Sequence, residues 1–454
     1  MRVHCIGIGG IGMSAIAQML LKAGLRVSGS DAKDSPMVRQ LRDRCIAVEI
    51  GQSGSTLAQA DLVVYSTAIS PGHAELARAR ALGIPTMQRA HLLALLVNGR
   101  RLTAVTGAHG KTTTTAMTAL LLRDGGLDPL CLIGAEVEPL GGNACWGDGP
   151  CAVVEADESD GSFVFLRPTH AVITNIDREH LDYYRNLGEI EAAVCRFVQG
   201  TKAGGTLFVC ADDRRLLDLT RDAPVRRLTF GLDAHADIHP SALTQEGLGS
   251  AFECVHRGRR VGRARLQVPG RHNVSNAMAA IGVALQEGVA WKAIQAGLAA
   301  YPGADRRFQR IALPDGVTLV DDYAHHPTEI KATLAALPRD MARRTIAVFQ
   351  PHRYSRTKYL TDEYGDCFQA VDHVIITDVY AAFETPLEGV SARQVYDAVV
   401  RSGHPRVEYV EQARLADHIV GLMQSGDYIF FLGAGDIGHL CRAVAQRCAR
   451  THLV

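Results

Sequence analysis

Two glycine-rich turns and one cluster of acids are where this sequence could do chemistry. Thr106-Gly107-Ala108-His109-Gly110-Lys111-Thr112 follows the apolar run 102–105 and precedes an apolar helical stretch over 113–122. Backbone amides of such a loop can cradle β- and γ-phosphates, with Lys111 neutralising the γ-phosphate and the Thr112 hydroxyl ligating Mg²⁺. The spacing departs from G-x-x-x-x-G-K-T, because Val105 stands where the first glycine would be. A Gly-Lys-Thr by chance is common, but a strand–Gly-x-x-Gly-Lys-Thr–helix unit is not.

The acids come next. Glu155, Asp157, Glu158 and Asp160 end the apolar run Ala152-Val153-Val154. At a strand end beside a phosphate loop, Glu155 can hold Mg²⁺ directly or through water; the alternative is a solvated acidic loop. A second buried-looking strand, 171–176, leads into Asp177-Arg178-Glu179-His180-Leu181-Asp182. His180 could ligate a second cation there, although a lone histidine is more often structural.

The other glycine turn, Gly7-Ile8-Gly9-Gly10-Ile11-Gly12, reads G-x-G-x-x-G between a strand and the helical run 13–23. Glycines let the backbone approach a diphosphate at a helix N-terminus. Asp31 closes the next strand, where an acid could meet a ribose hydroxyl. Three readings follow: a nicotinamide enzyme, a merely structural turn, or a site for another nucleotide diphosphate such as UDP. A dehydrogenase has no use for the second cradle and a simple ATPase none for the first, which favours the third.

These residues need scaffolds. A chain of 454 residues exceeds one comfortable core and suggests about three domains. Short apolar strands alternate with helical stretches, the pattern of α/β domains with largely parallel sheets. Polar breaks near 98 and 303 divide the chain into 1–98, 99–302 and 303–454. The expected fold is an N-terminal Rossmann-like parallel sheet, a central P-loop ATPase-like α/β domain, and a C-terminal Rossmann-like α/β domain. Strand-like text over 228–270 predicts a small antiparallel side sheet in the central domain.

Lysine plus arginine equals aspartate plus glutamate at 48 each, which argues against nucleic acid or an anionic membrane as the main partner. Eleven cysteines without a C-x-x-C pair read as reduced thiols of a cytosolic enzyme. The opening residues lack the shape of a signal peptide, and no apolar run approaches the ~20 residues of a membrane span. A cytoplasmic protein acting as a monomer or weak homodimer is expected, with no nucleic acid and no membrane insertion.

In the last third, Arg306-Arg307-Phe308, the segment 321–329 and the segment 349–357 concentrate His and Arg at strand ends. Guanidinium groups there could grip a carboxylate substrate, with structural ion pairing as the alternative. Asn273 and Asn276 have amides suited to an adenine edge, unless one of them caps a helix over 277–286.

Residues 7–14, 106–115, 155–160 and 175–182, in that order, resemble the motifs of the Mur ligase family, and the resemblance spans nearly the whole chain. It implies three domains that couple ATP to amide formation on a UDP-sugar carboxylate through an acyl phosphate. Within the family, the first block with Gly29-Ser30-Asp31 is similar to the branch that adds L-alanine to UDP-N-acetylmuramate. The branch that recycles a tripeptide typically carries a cysteine and bulkier residues in this turn.

The resemblance implies UDP-sugar contacts from Gly9, Gly10, Ile11, Gly12, Met13, Ser14, Asp31 and Ser66. It implies ATP contacts from Gly107, Ala108, His109, Gly110, Lys111, Thr112, Thr113, Asn273, Asn276 and Arg307. Mg²⁺ falls to Thr112, Glu155 and His180, and the amino acid to Tyr323, His352, Arg353 and Arg356. Lys111, Glu155, His180, His325 and His352 are the implied catalytic set. Three departures stand out. Other members and folylpolyglutamate synthases carry a carbamylated lysine where 191–196 has none, so that modification is not expected. Ala108 replaces the commoner threonine or serine, and Gly51-Gln52 stands where this branch often has Gly-His.

Overall fold

The computed structural model describes residues 1–51, 54–180, 183–382 and 384–451, the side chains of Arg450 and Thr451 excepted. Gln52, Leu181 and Asp182, singled out above, lie outside the described residues. Three sheets follow one another along the chain.

The first has the order β3-β2-β1-β4-β5, all parallel. Its strands are β1 (Arg2–Ile6), β2 (Arg26–Asp31), β3 (Ala47–Ile50), β4 (Leu62–Tyr65) and β5 (Thr86–Gln88). Chain order reverses beside β1, so the glycine turn after it opens at a topological switch point, where doubly wound sheets bind ligands.

The second sheet has ten strands, β15-β14-β13-β12-β11-β10-β6-β9-β7-β8. They are β6 (Arg101–Thr106), β7 (Leu130–Val137), β8 (Gly142–Cys145), β9 (Cys151–Glu155), β10 (His170–Ile173), β11 (Thr206–Cys210), β12 (Arg226–Phe230), β13 (Ile238–Glu246), β14 (Gly249–His256) and β15 (Arg259–Leu266). Strands β6, β9, β10 and β11 are parallel and nearly all buried, as strands covered on both faces must be. The antiparallel side sheet is present as β13–β15, but it is not separate. A single parallel pair, Phe230↔Ile238, welds it to the central strands. The opposite edge carries an antiparallel hairpin, β7–β8, for which the sequence reading had no expectation.

The third sheet runs β16-β17-β21-β18-β19-β20, parallel except for β16 against β17. Its strands are β16 (Gln309–Ala312), β17 (Thr318–Asp322), β18 (Arg344–Phe349), β19 (His373–Ile376), β20 (Val407–Tyr409) and β21 (Asp427–Leu432). Alternate residues feed two cores: Val320, Ala347, Phe349 and Phe430 on one face, Leu319, Ile346, Val348 and Phe431 on the other. Each such large side chain contributes roughly 1.5–3 kcal/mol by leaving water. Apolar packing runs without a break from the first sheet into the second. Among the described residues no helix is long and apolar enough to cross a membrane.

Candidate active site

The loop between β6 and the helix Lys111–Asp124 is shaped by what lies behind it. Gly107 has φ +125°, and a Cβ there would strike the Thr174 hydroxyl and come within 2.8 Å of the Asn175 carbonyl oxygen. Gly110 sits at φ +82° with Asn276 Oδ1 2.5 Å from where a Cβ would stand. Neither position tolerates a side chain, so the loop stays thin enough for phosphate to reach its amides. Asn175 braces it from the end of β10, accepting from the His109 amide at 2.8 Å and donating to the His109 carbonyl at 3.0 Å. Gly110 is the N-cap and offers no side-chain cap, so the first amides of the helix are left for an anion.

Lys111 Nζ donates to the Gly107 carbonyl at 2.7 Å and to Glu158 Oε1 at 2.8 Å. Burial alone would lower its pKa, but Glu158 and Asp157 outweigh burial and raise it, so the ammonium is permanent. Glu155 ends β9 and accepts from Thr112 Oγ1 at 2.9 Å and from the Gly134 amide at 2.6 Å. Burial pushes its carboxyl pKa up. Asp157, Glu158 and His180 bring one ligand atom each within 4.8 Å of one another. His180 holds φ +55°, a left-handed strain that a non-glycine residue keeps only when its surroundings impose it.

This donor set suits a hard divalent cation. It offers a hydroxyl and a half-buried carboxylate side by side, with further carboxylates adjacent. The imidazole of His180 is the borderline member, better suited to Zn²⁺ or Fe²⁺ than to Mg²⁺.

The third domain closes over this floor. Asp177 Oδ2 accepts from Thr328 Oγ1 at 2.8 Å, and His326 Nδ1 lies 3.5 Å from it. Glu179, only 5% exposed, takes Arg356 Nη2 at 2.9 Å and has His325 Nε2 at 3.6 Å. Arg356 Nη1 is 2.9 Å from His352 Nδ1, and His352 stacks on Tyr380. Arg353, at φ +68°, lines the same small crevice as Glu179, His180 and Arg356. Tyr323 stands further back, its ring covered by the guanidiniums of Arg306 and Arg307 at 5.1 Å each. His180, His325, His352, Arg353 and Arg356 therefore converge. In this arrangement Arg356 is ion-paired, as the structural alternative held.

Burial, with His325 and Arg356 close by, pushes His352 down to about 2, and burial with Arg356 pushes His325 down to about 4. Both imidazoles are neutral near pH 7. His109 behaves oppositely. Its Nε2 is 2.9 Å from Asp177 and its Nδ1 3.3 Å from Glu329 of the third domain. Burial alone would lower its pKa, yet these carboxylates raise it from 6.5 to about 10.

A raised pKa means the protonated ring stabilises the fold fully below 6.5 and loses that contribution as pH climbs through about 10. Wild type is accordingly expected to lose more melting temperature than His109→Gln between pH 6.5 and 10. Parallel melting curves for the two proteins would dismiss this latch.

Beside the loop opens a cleft of about 700 Å³, within the size of small-molecule sites. Gly110, Thr113, Asn273, Asn276, Arg307 and Phe308 line it. The capping alternative for the asparagines fails, because the helix begins at Arg271 and its N-cap is Gly270. Asn273 instead donates to the Pro269 carbonyl at 2.7 Å, and Asn276 donates to Asn273 Oδ1 at 3.1 Å.

At the first turn, Gly10 caps the helix Ile11–Lys22, again with no side-chain cap. Asp31 is used by the turn itself, accepting from the Gly9 amide at 2.8 Å and from the Lys33 amide at 3.1 Å. Ile11 is exposed, Gly12 packs against Arg89, Met13 belongs to the core, and Ser14 Oγ donates back to the Ile11 carbonyl. Ser66 follows β4 across the turn, and its neighbour Thr67 donates to Asp160 of the acidic loop at 3.0 Å. Asn143 on β8 donates to the Ile11 carbonyl at 2.8 Å, tying the first domain to the second.

Sequence reasoning left Asn143, Asn175, Glu158, Asp177, Glu179 and Glu329 without roles. Asp177, Glu179 and Asn175 stood in a quoted motif, and their place after a buried strand was the available signal. Glu329 closed the segment 321–329, and its capping-box place after His326 was a local signal, whereas its contact with His109 was not. Asn143 offered none, since its partners are more than a hundred residues away.

Residues 2–101 match the Mur ligase family catalytic domain, 105–284 the Mur ligase middle domain, and 306–435 the Mur ligase glutamate ligase domain. A UDP-N-acetylmuramate–L-alanine ligase of Pelotomaculum thermopropionicum is 45% identical over 437 residues, 96% of this chain and 95% of the relative. The enzyme of that name from Geotalea daltonii is 42% identical with the same coverage. Among solved structures, the UDP-N-acetylmuramate–alanine ligase of Thermotoga maritima has a TM-score of 0.84 at 28% identity, covering 99% of this chain and 100% of that one. A murein peptide ligase from Psychrobacter arcticus, at TM-score 0.74 and 24% identity, covering 99% of this chain and 98% of that one, shares the fold. With three domain matches in sequence and relatives above 40% identity almost end to end, this chain belongs to the Mur ligase family.

Proposed function

We propose that this enzyme uses ATP to join L-alanine to the lactyl carboxylate of UDP-N-acetylmuramate, a step in peptidoglycan precursor synthesis. The observation that carries the reading is the convergence of the phosphate loop, the acidic floor and the His/Arg crevice of the third domain on one space. The nearly full-length identity to alanine ligases supports the choice of substrates.

A carboxylate does not react with an amine in water, because its leaving group is poor. Transfer of the γ-phosphoryl group to the lactyl carboxylate gives an acyl phosphate and ADP; the neutral amine of alanine then displaces phosphate. Lys111 and the loop amides, 107–113, hold the transferring group in place. A cation held by Thr112, Glu155 and His180 would supply further positive charge where the phosphoryl charge develops. Asn273, Asn276 and Arg307 face the nucleoside in the large cleft. Gly9 to Ser14, Asp31 and Ser66 serve the UDP-sugar on domain 1–98, the domain 99–302 carries ATP, and 303–454 brings the amino acid.

His352, Arg353 and Arg356, with Tyr323 behind them, receive the alanine carboxylate. His325 and His352 are neutral, so they orient it without competing for its charge. Hinges near 98 and 303 let the three domains converge and exclude water. Release of ADP should require UDP-N-acetylmuramate and L-alanine together. Release with a tripeptide and not with L-alanine would move the chain to the recycling branch.

Replacing Arg356 by alanine separates acceptor recognition from bracing. A desolvated guanidinium–carboxylate pair is worth roughly 1.5–3 kcal/mol, so KM for L-alanine should rise ~10- to 100-fold. KM for ATP should change far less, and positional-isotope exchange in ATP should persist. Equal rises in all three KM values would assign Arg356 to the Glu179 ion pair alone.

A further inference from the structure

The hairpin β7–β8 carries two thiols that face each other. Cys131 on β7 is the direct cross-strand partner of Cys145 on β8. Opposed residues of an antiparallel pair have Cβ atoms about 4.5–5.5 Å apart, and a disulfide needs about 3.5–4.5 Å. Both thiols already share one acceptor: Cys131 Sγ donates to the Pro129 carbonyl at 3.5 Å and Cys145 Sγ to the same oxygen at 3.6 Å. Cys131 is buried and Cys145 half-buried, so Cys145 is the more accessible of the two.

The two thiols also differ in acidity. The neighbouring Cys131, with the charges of Lys22 and Arg123, holds the Cys145 thiol below the ordinary cysteine value against some burial. Burial pushes Cys131 well up. Cys145, the more exposed of the two, is placed to meet an oxidant first, and Cys131 beneath it to act as the resolving thiol.

The helix that follows the first glycine turn lies over this hairpin. Asn143 stands two residues before Cys145, on the same face of β8. Its amide donates to the Ile11 carbonyl at 2.8 Å and reaches Ser14 Oγ at 3.4 Å. Asn143 Oδ1 accepts from Gln18 Nε2, also at 3.4 Å. Lys22 ends the same helix and is close enough to Cys145 to favour its thiolate.

We propose that Cys131 and Cys145 are a peroxide-responsive pair, whose disulfide pulls β8 toward β7 and weakens the grip of Asn143 on the nucleotide-binding turn. The Cys145 thiolate attacks one oxygen of hydrogen peroxide, breaking the O–O bond and giving a sulfenic acid and hydroxide. Cys131 sulfur then attacks the Cys145 sulfur, and the S–O bond breaks. The departing hydroxide takes the Cys131 proton as water. Overall, two thiols and one peroxide give one disulfide and two waters, with two electrons passing from sulfur to oxygen. A thiol reductant reverses it by thiol–disulfide exchange.

The effect on the turn rests on reading the first domain as the UDP-sugar site, whereas the disulfide itself does not. The full-length enzyme is treated with hydrogen peroxide and analysed by intact mass, peptide mapping and calorimetry with UDP-N-acetylmuramate and with ATP. The expected result is loss of two hydrogens per chain and one linked peptide joining Cys131 to Cys145, both reversed by dithiothreitol. Affinity for UDP-N-acetylmuramate should fall about 2- to 10-fold, the net worth of one hydrogen bond, with ATP affinity unchanged.

Cys131→Ser should stop at a Cys145 sulfenic acid that dimedone traps, and Cys145→Ser should show neither linkage nor affinity change. No linkage, linkage through other cysteines, or linkage without a change in sugar-nucleotide affinity would overturn the proposal. Reduced enzyme that fails to bind UDP-N-acetylmuramate would sink the substrate reading instead, and the mass measurement would still decide the disulfide.

Discussion

Lys111→Ala should abolish ATP turnover, by ~10³-fold or more, while UDP-N-acetylmuramate still binds with wild-type affinity. The ammonium donates to the loop carbonyl of Gly107 and to Glu158, and Glu155 and Asp157 also act on it. Removing it takes the lysine out of the loop and leaves three carboxylates, Glu155, Asp157 and Glu158, crowded at the proposed γ-phosphate site. Like charges then repel the substrate that the loop amides alone must hold. The first glycine turn lies on another sheet and shares no hydrogen bond with Lys111. Sugar-nucleotide binding should therefore be blind to the change. Loss of a buried pair's partner also costs stability, about 3–5 kcal/mol in general, so a melting curve must accompany the kinetics. A folded variant that loses sugar-nucleotide affinity as well would defeat the separation of the two cradles.

What the sequence discloses divides along physical lines. Both glycine turns were legible, because backbone that must approach a phosphate excludes side chains, and glycine at those positions is visible in one dimension. Glu155 and His180 could be singled out as candidates because one ends a buried strand and the other follows one, and strand ends in a parallel sheet lie at the ligand edge. Asp31 shows the limit of that reasoning: its position at the strand end was seen, but not that Gly9's amide would claim the carboxylate. The asparagines show another. Their helix starts at Arg271 rather than at 277, because its first residues, Arg271 and His272, are polar and exposed and break the apolar pattern.

Contacts between domains were the least accessible. Arg356 with Glu179, His109 with Glu329 and Asn143 with Ile11 join residues that no local pattern relates. The charge of His109 depends in part on that closure, since Asp177 of its own domain and Glu329 of the third together outweigh the burial that would lower its pKa. The β7–β8 hairpin escaped notice for a similar reason: β8 is four residues long and contains glycine and asparagine, both poor strand formers.

Glu155→Gln should lower metal-dependent ATP turnover by at least ~100-fold, the scale of losing a charged group that stabilises transferring charge. The substitution leaves the architecture able to adapt. Glutamine keeps one acceptor for the Gly134 amide, and its NH₂ can turn toward Thr112, whose hydroxyl accepts as well as donates. Burial raises the Glu155 pKa, so the folded protein disfavours the ionised carboxylate at neutral pH. A group shifted this way contributes most to stability in acid and loses that contribution as pH rises through its folded pKa. A neutral amide removes the unfavourable charge, and the variant should melt no lower than wild type near pH 7. Function and stability then move in opposite directions, the mark of a carboxylate kept for a cation rather than for the fold. Turnover measured across magnesium concentrations, with melting curves on the same samples, tests both halves. Near-normal activity at ordinary magnesium would make Glu155 one more acid of the loop. A large fall in melting temperature would show instead that its hydrogen bonds to Thr112 and Gly134 hold β9 in place.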